Sequence, residues 1–437
     1  MASDLSSALF DFNGKPSAAE TVPLGLQHVV AAIVGVVTPA LLVANVTGLS
    51  PEDRVRLVQI ALIFTAFTTL LQLFPIMRVG AALPVIMGTS FAYVPTLLAI
   101  GGQFDLPTIL GAQMVGGCAA ILFGLFVKQL RVLFPPVITG TVILTIGLSL
   151  YPTAVRYMAG GAPAQADGTF GGALHWTVAL ITLITVIVCN NFTRGITRLA
   201  SILIGVAVGY AVAFPMGLVN LSAVGAASWF QVVPPLHFGI TFRASACISM
   251  AVMFAVNSVQ TIGDLTATAI GGMDREPTDR ELSGGILCQG AGSVVGALFG
   301  ALPAASYSQN VGIVTANRVI NRRVFAFAAA VLLIAGFIPK FSSTLTTIPQ
   351  AVIGGATISV FAMIAMTGIR MITSGGLSQR TVSVVGLSVA LGVGVTSVQG
   401  SLSGFPAWVG SVFGSSSVVI AALSAIILNI TLPKDKA

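Results

Sequence analysis

Apolar runs of about twenty residues, separated by short polar or Pro- and Gly-containing stretches, recur from residue 22 to residue 431. Crossing about 30 Å of hydrocarbon takes roughly 17 to 25 apolar residues, so each run predicts a membrane-spanning helix. Fourteen are expected, near 22–44, 55–77, 81–99, 107–127, 133–151, 173–191, 197–217, 244–262, 283–302, 304–316, 322–339, 345–367, 380–398 and 411–431. The most polar passage between two strongly apolar ones in the second half runs from Leu302 to Arg318 and holds Tyr307, Ser308, Gln309 and Asn310. Pro303 at its start and Gly312 within it argue against an uninterrupted helix. Tyr307 to Asn310 are therefore expected on extended backbone, with helix resuming afterwards. In a bilayer such a break is tolerated only where it is buried in protein or lines a cavity, so this stretch is read as half of a binding site.

Composition narrows the class. The 437 residues are 55% hydrophobic and 8% charged, with a mean hydropathy of +0.98, which excludes a soluble domain and leaves a polytopic membrane protein. Asp4, Asp11, Lys15 and Glu20 interrupt the first twenty residues, so no cleavable signal peptide is expected. Cys118, Cys189, Cys247 and Cys288 fall in apolar segments without metal-ligand spacing and read as packing thiols. No metal or cofactor is implied. The net charge of +7 is unevenly placed: 15 of the 20 Lys and Arg residues fall on the side shared by both termini. That distribution orients a protein in a cell membrane with both termini cytoplasmic, and it does not suggest a nucleic-acid partner. The charge run Asp274 to Glu281 reads as a solvated cytoplasmic loop or helix start, and the stretches 152–172 and 218–243 as extracellular connections.

Internal similarity divides the chain in two. Leu83-Pro-Val-Ile-Met-Gly-Thr-Ser-Phe-Ala92 and Leu302-Pro-Ala-Ala-Ser-Tyr-Ser-Gln-Asn310 open alike at an offset of 219, and Pro136-Val-Ile-Thr-Gly140 resembles Pro349-Gln-Ala-Val-Ile-Gly-Gly355 at nearly the same offset. Two halves of seven spans follow, and an odd number inverts the second half relative to the first. Transporters of that design hold substrate near the midplane, where interrupted segments and free helix ends meet, which makes spans three and ten the expected crossing point.

Polar residues inside spans are costly and mark function by default. They cluster at Gln27-His28, at Gly88-Thr-Ser-Phe-Ala92, at Asn257-Ser-Val-Gln-Thr-Ile-Gly-Asp264 and at Tyr307 to Asn310, with Gln260 and Asp264 four apart on one helix face. Taken together these stretches resemble the nucleobase-ascorbate transporter family. Gln309-Asn-Val-Gly312 resembles its signature, although the usual Thr before the closing residue is Asn317 here. Leu24-Gly-Leu-Gln-His28, Gly88-Thr-Ser-Phe91, Thr261-Ile-Gly-Asp-Leu-Thr266 and Ile348-Pro-Gln-Ala-Val-Ile-Gly-Gly355 also match, in the family's order.

The resemblance implies an all-α membrane fold with short antiparallel strands in spans three and ten. Between a tail at 1–21 and another at 432–437, it implies a core domain at 22–127 and 244–340, and a gate domain at 128–243 and 341–431. A homodimer is usual. It further implies that Gln309 binds the edge of a base, that Gln260 takes the place of a substrate-binding glutamate, and that Ser308, Phe91 and Ala92 offer backbone groups. Asn310, Asp264 and His28 would support the site, with Gln27 and Ser90 beside them. The chemistry is coherent: a purine dione alternates N–H donors and carbonyl acceptors, a carboxamide carries one of each, and Phe91 or Tyr307 could cover the ring. Buried edges left unpaired cost about 1–3 kcal/mol per group, which gives selectivity.

Two departures bear on substrate and coupling. Gln260 stands where most members have Glu, and Gln289 where they have Asp, so Asp264 and His28 are the titratable groups left nearby for proton symport. Without a fixed carboxylate the site favours an anionic base such as urate, or xanthine, over uracil, whose transporters tend to carry Glu at the position of Gln309. The alternatives are a uracil or other nucleobase permease, and an anion exchanger of the same inverted-repeat architecture, which would be expected to place an arginine or helix N-termini at the midplane. An enzyme is disfavoured: no nucleophile or metal spacing occurs, and the three histidines are far apart.

Overall fold

The structure, a computed structural model, describes residues 6–433 except 131–134, 399, 407–408, 411–412 and 415. The start of the expected span at 133–151, part of that at 411–431, Arg131 and the tail at 434–437 lie outside the described residues. Fourteen principal helices follow one another: α1 (Ala18–Val46), α2 (Pro51–Leu73), α3 (Val94–Gln103), α4 (Leu106–Leu125), α5 (Pro136–Met158), α6 (Ala173–Phe192), α7 (Ser201–Ala213), α8 (Ala244–Met273), α9 (Asp279–Phe299), α10 (Ser308–Asn317), α11 (Arg322–Gly336), α12 (Gln350–Thr373), α13 (Gln379–Ser397) and α14 (Ser417–Thr431). Among the described residues nine of these are long and apolar enough to cross a membrane. A tenth crossing results if α11 is joined to the helix Pro339–Thr346, from which it is bent by 83°. The chain is a predominantly helical, multi-pass membrane protein.

Polar caps set several starts. Ser17 and Glu20 close a capping box on α1, Thr278 and Glu281 another on α9, and the side chains of Ser50, Asp105 and Ser378 cap α2, α4 and α13. The charge run 274–281 is thus a loop that becomes the start of α9, with Glu281 also paired to Arg275 at 2.6 Å. Helix α8 continues to Met273, eleven residues beyond its expected end, because Gly271 and Gly272 are packed against Thr315 and Val314 of α10 and no proline occurs before Asp274, which closes the helix in a left-handed conformation. Similarly α5 runs through Pro152 to Met158, and a further helical turn at Gly161–Ala166 follows where a loop is expected. Cys189 and Cys288 are buried and Cys247 half-buried, whereas Cys118 is exposed on the helix surface and does not serve as a core thiol.

Two short strands, β1 (Met87–Thr89) and β2 (Ala304–Ser306), pair antiparallel with Gly88 opposite Ala305. Each runs into a short helix, β1 through a 3-10 turn at Phe91–Tyr93 into α3, and β2 into α10. The extended stretch is shorter than the sequence suggests. Tyr307 is extended, but Ser308, Gln309 and Asn310 already form the first turn of α10. The last cross-arm bond is from the Tyr307 N–H to Ile86 O, so residues beyond Tyr307 satisfy their backbone groups by coiling, and Gly312 is absorbed within the helix.

Packing repeats with a period of seven helices. The close pair α4 and α9 is matched by α11 and α2, α4 and α8 by α11 and α1, and α6 and α7 by α13 and α14, while α5 packs along its own counterpart α12. Small residues let that last pair approach: a Cβ added to Gly147 would stand 2.6 Å from the Ala365 nitrogen. Helices α1–α4 and α8–α11 pack chiefly on one another, as do α5–α7 and α12–α14, and few contacts join the two sets.

Candidate functional site

The pairing of β1 with β2 is held from behind by hydroxyl groups. On α2, Thr68 Oγ1 donates to the Met87 carbonyl at 2.8 Å and Thr69 Oγ1 accepts from the Met87 N–H at 3.1 Å. On α9, Ser293 Oγ accepts from the Ala304 N–H at 3.0 Å. Tyr307 donates its hydroxyl to the Thr89 carbonyl, and its N–H to Ile86 O at 3.0 Å, tying one arm to the other. These buried bonds replace what water cannot supply inside a membrane.

Where the arms meet the second set of helices, a cavity of about 220 Å³ opens. Ala31 and Gly35 of α1, Ser90, Phe91 and Ala92 before α3, Gln260 of α8 and Ser306 to Gln309 form one side; Ile143 and Ile146 of α5 with Val360, Met363, Ile364 and Thr367 of α12 form the other. One wall carries amides, hydroxyls and two aromatic rings; the other is apolar except for Thr367. The volume lies just below the range of about 300–1,000 Å³ for drug-sized ligands, so it suits one small molecule. Among the described residues no charged side chain belongs to its lining. The first turns of the two arms both border the space, and α10 begins without a capping side chain, which leaves N–H groups and the positive end of a helix dipole facing it.

Gln260, Gln309, Phe91, Ala92, Ser90, Tyr307 and Ser308 therefore border one space. Gln309 forms no side-chain hydrogen bond among the described residues and is exposed to the cavity. Phe91 meets Phe361 of α12 edge-on with centroids 5.5 Å apart. Three other residues stand one layer behind. Asp264 accepts hydrogen bonds from Ser306 Oγ at 2.5 Å and Ser308 Oγ at 2.8 Å, so its carboxylate pins β2 to the start of α10. Asn310 Nδ2 contacts His28 Nδ1 at 3.0 Å and donates to the His28 carbonyl at 3.1 Å, and the His28 ring lies 4.3 Å from that of Phe325. Gln27 is half-buried on α1 and does not border the cavity.

Behind Gln260 lies a group that sequence reasoning did not assemble. Asn257 Nδ2 donates to Gln260 Oε1 at 3.3 Å; Gln289 Nε2 donates to Asn257 Oδ1 at 3.0 Å and to the Tyr93 oxygen at 2.7 Å; Tyr93 donates to Asn257 Oδ1 at 3.2 Å; Thr261 donates to Gln289 Oε1 at 2.7 Å. Gln289 and Asn257 were visible as polar residues in apolar runs. Tyr93 offered no signal, because a tyrosine in a span serves equally well as packing.

A family model described as a permease family, Xan_ur_permease, matches residues 19–401. The uric acid permease PucJ of Bacillus subtilis (strain 168) is 35% identical over 412 residues, covering 93% of this chain and 91% of that protein. The xanthine permease XanP of Escherichia coli (strain K12) is 30% identical over 446 residues, 99% of this chain and 96% of that one. Among solved structures, the transmembrane domain of the cyanobacterial bicarbonate transporter BicA superposes with a TM-score of 0.60 at 16% identity, covering 94% of this chain and 97% of that chain.

Proposed function

The chain belongs to that permease family, and with transport rather than catalysis as the premise we propose that it carries a purine base, urate or xanthine, through the membrane. The observation that supports this most directly is the uncharged cavity bordered by two carboxamides, Gln260 and Gln309, beside Phe91 and Tyr307. Each amide can pair with a donor–acceptor edge, and a ring offers its face to a flat heterocycle. Relatives named for uric acid and for xanthine lend the same substrate class. An inorganic anion is the competing occupant, since helix N-termini border the space. It would leave both amides without the edge they match.

We read α1–α14 as fourteen crossings in two inverted sets of seven. The ten residues of α3 or α10 cover about 15 Å, and the strand before each supplies much of the remaining width. Helices α1–α4 and α8–α11 form a core that carries the base, α5–α7 and α12–α14 a gate it moves against, and both termini face the cytoplasm of a plasma-membrane homodimer. Proton symport would fall to Asp264 and His28, the carboxylate and imidazole one layer behind the cavity.

Competition uptake with urate, xanthine, uracil, ascorbate and sulfate at two external pH values tests the substrate; uracil preferred over both purines defeats the assignment. Motion is tested by cross-linking α1 to α7 across the apolar seam lined by Ile33, Val37, Leu203 and Val206. The lock should abolish uptake and spare binding, and uptake that survives it excludes a moving core.

A further inference from the structure

Gln260 is the cavity end of a hydrogen-bonded chain whose other members are withdrawn from solvent: Tyr93, Thr261 and Gln289 are 0% exposed and Asn257 1%. Amides can be turned over, so the direction of such a chain needs a reason. As it stands, both Gln289 Nε2 hydrogens find acceptors, one on Tyr93 and one on Asn257 Oδ1, while Gln289 Oε1 accepts from Thr261. With every amide reversed, those two hydrogens would face only the Thr261 oxygen. One hydrogen on Gln289, at the fully buried end, would then lack an acceptor, whereas in the observed direction the spare hydrogen is the second one on Asn257 Nδ2, one link from the cavity, where a ligand or water can meet it. The observed direction is therefore the held one, and its last link engages Gln260 Oε1, leaving Nε2 with no partner among the described residues and free for the cavity.

We propose that Gln289, Tyr93 and Asn257 are positioning residues that make Gln260 a hydrogen-bond donor, so that the site selects the acceptor-rich, anionic edge of its base. The inference rests on the purine reading and deepens it: the chain's polarity, rather than a charge, sets which edge is bound. A carboxamide held this way distinguishes urate anion from neutral xanthine without taking up or releasing a proton.

The test is equilibrium binding of urate and of xanthine to the full-length purified protein, at a mildly acidic pH where urate is anionic and xanthine neutral. Gln289→Glu removes both donors; its carboxylate accepts from Asn257 Nδ2, turns Asn257 over and draws Gln260 Nε2 away from the cavity. The ratio of the two dissociation constants should move about tenfold against urate, the worth of a charge-assisted hydrogen bond. Asn257→Asp, one link nearer, should move it the same way and serves if Gln289→Glu does not fold. Tyr93→Phe, which leaves the direct Gln289 to Asn257 bond intact, should change the ratio less than about threefold. Equal weakening of both ligands in the folded variants, or a gain for urate, overturns the proposal; so does a loss for urate with the Gln260 amide still turned to the cavity, because the added carboxylate then repels the anion by charge alone. Wild-type protein that binds neither base defeats the purine reading instead. The direction of the chain is then read from hydrogen exchange of the isotope-labelled Gln260 side-chain amide, fast if it faces the cavity and protected if it faces Asn257.

Discussion

The two arms that meet beneath the cavity share a backbone plan and divide the chemistry. On the first, β1 leads through Phe91–Tyr93 into α3; Ser90 caps the turn by accepting from the Ala92 N–H at 3.2 Å, and Phe91, Ala92 and Tyr93 are all buried. On the second, β2 leads into α10 with no side-chain cap, and Ser308 and Gln309 stand exposed at its first turn. Backbone pairing requires nothing of side chains beyond room, so each arm was free to acquire its own. The first arm closes its helix end and presents an aromatic surface. The second leaves its end open and presents polar groups. Half-crossings in inverted repeats need not be equivalent ligands even where they are equivalent folds.

The most damaging way to disturb this arrangement is to force the arms apart. A Cβ added at Gly88 would stand 2.7 Å from the Thr65 Cβ on α2, nearer than side-chain atoms approach. Gly88→Ala should cost about 3 kcal/mol of stability through displacement of β1. Ala305→Gly, the facing position on β2, should cost only about 0.5–1 kcal/mol, the entropic penalty of glycine in a strand. Thermal unfolding of the detergent-solubilised protein compares them, and equal losses would mean that the arms are packed alike.

Next in size is the loss of the open arm's amide. Gln309→Ala should weaken binding about 10- to 100-fold, matching about 1–3 kcal/mol for ligand groups left unpaired, with the melting temperature unchanged because the Gln309 side chain forms no hydrogen bond among the described residues. Phe91→Leu, on the closed arm, should cost about 0.5–1.5 kcal/mol and should act on stability as well, since its ring also meets Phe361. Asp264→Asn should fall between: it leaves the Ser306 or Ser308 hydroxyl without a carboxylate acceptor, loosens the start of α10 and weakens binding by about 1 kcal/mol. Titration calorimetry of each variant ranks them, and binding untouched in Asp264→Asn would detach that carboxylate from the site.

Much of this could be read in the chain before any coordinates. The repeat offset of 219 and Pro303 marked the two arms, and the family motifs singled out Gln260 and Gln309 because amides in apolar runs are conspicuous. What remained hidden has physical reasons. Ile143, Ile146, Val360 and Met363 border the cavity, yet an apolar residue in a span looks the same whether it faces lipid, a neighbouring helix or a ligand. The exchange of partners among Tyr93, Asn257 and Gln289 depends on three distant segments meeting, which spacing along one helix cannot reveal. Boundaries slipped where helices ran on through residues that commonly break them, as at Pro152 in α5 and Gly312 in α10.

The smallest expected effect separates the arms most sharply. Ser90 borders the cavity and its oxygen accepts from the Ala92 N–H, so its first service is to the helix end. Replacing a serine cap by alanine costs about 1 kcal/mol, and by glycine only a few tenths. Ser90→Ala should therefore lower stability by about that amount and Ser90→Gly by less, while ligand affinity changes less than about threefold in either. Removing the cap also exposes one more N–H to the cavity, so any change for an anionic ligand should be a gain. Affinity that falls in parallel in both variants would show Ser90 acting on the ligand directly, and the closed arm would then have to be counted as a polar contributor equal to the open one.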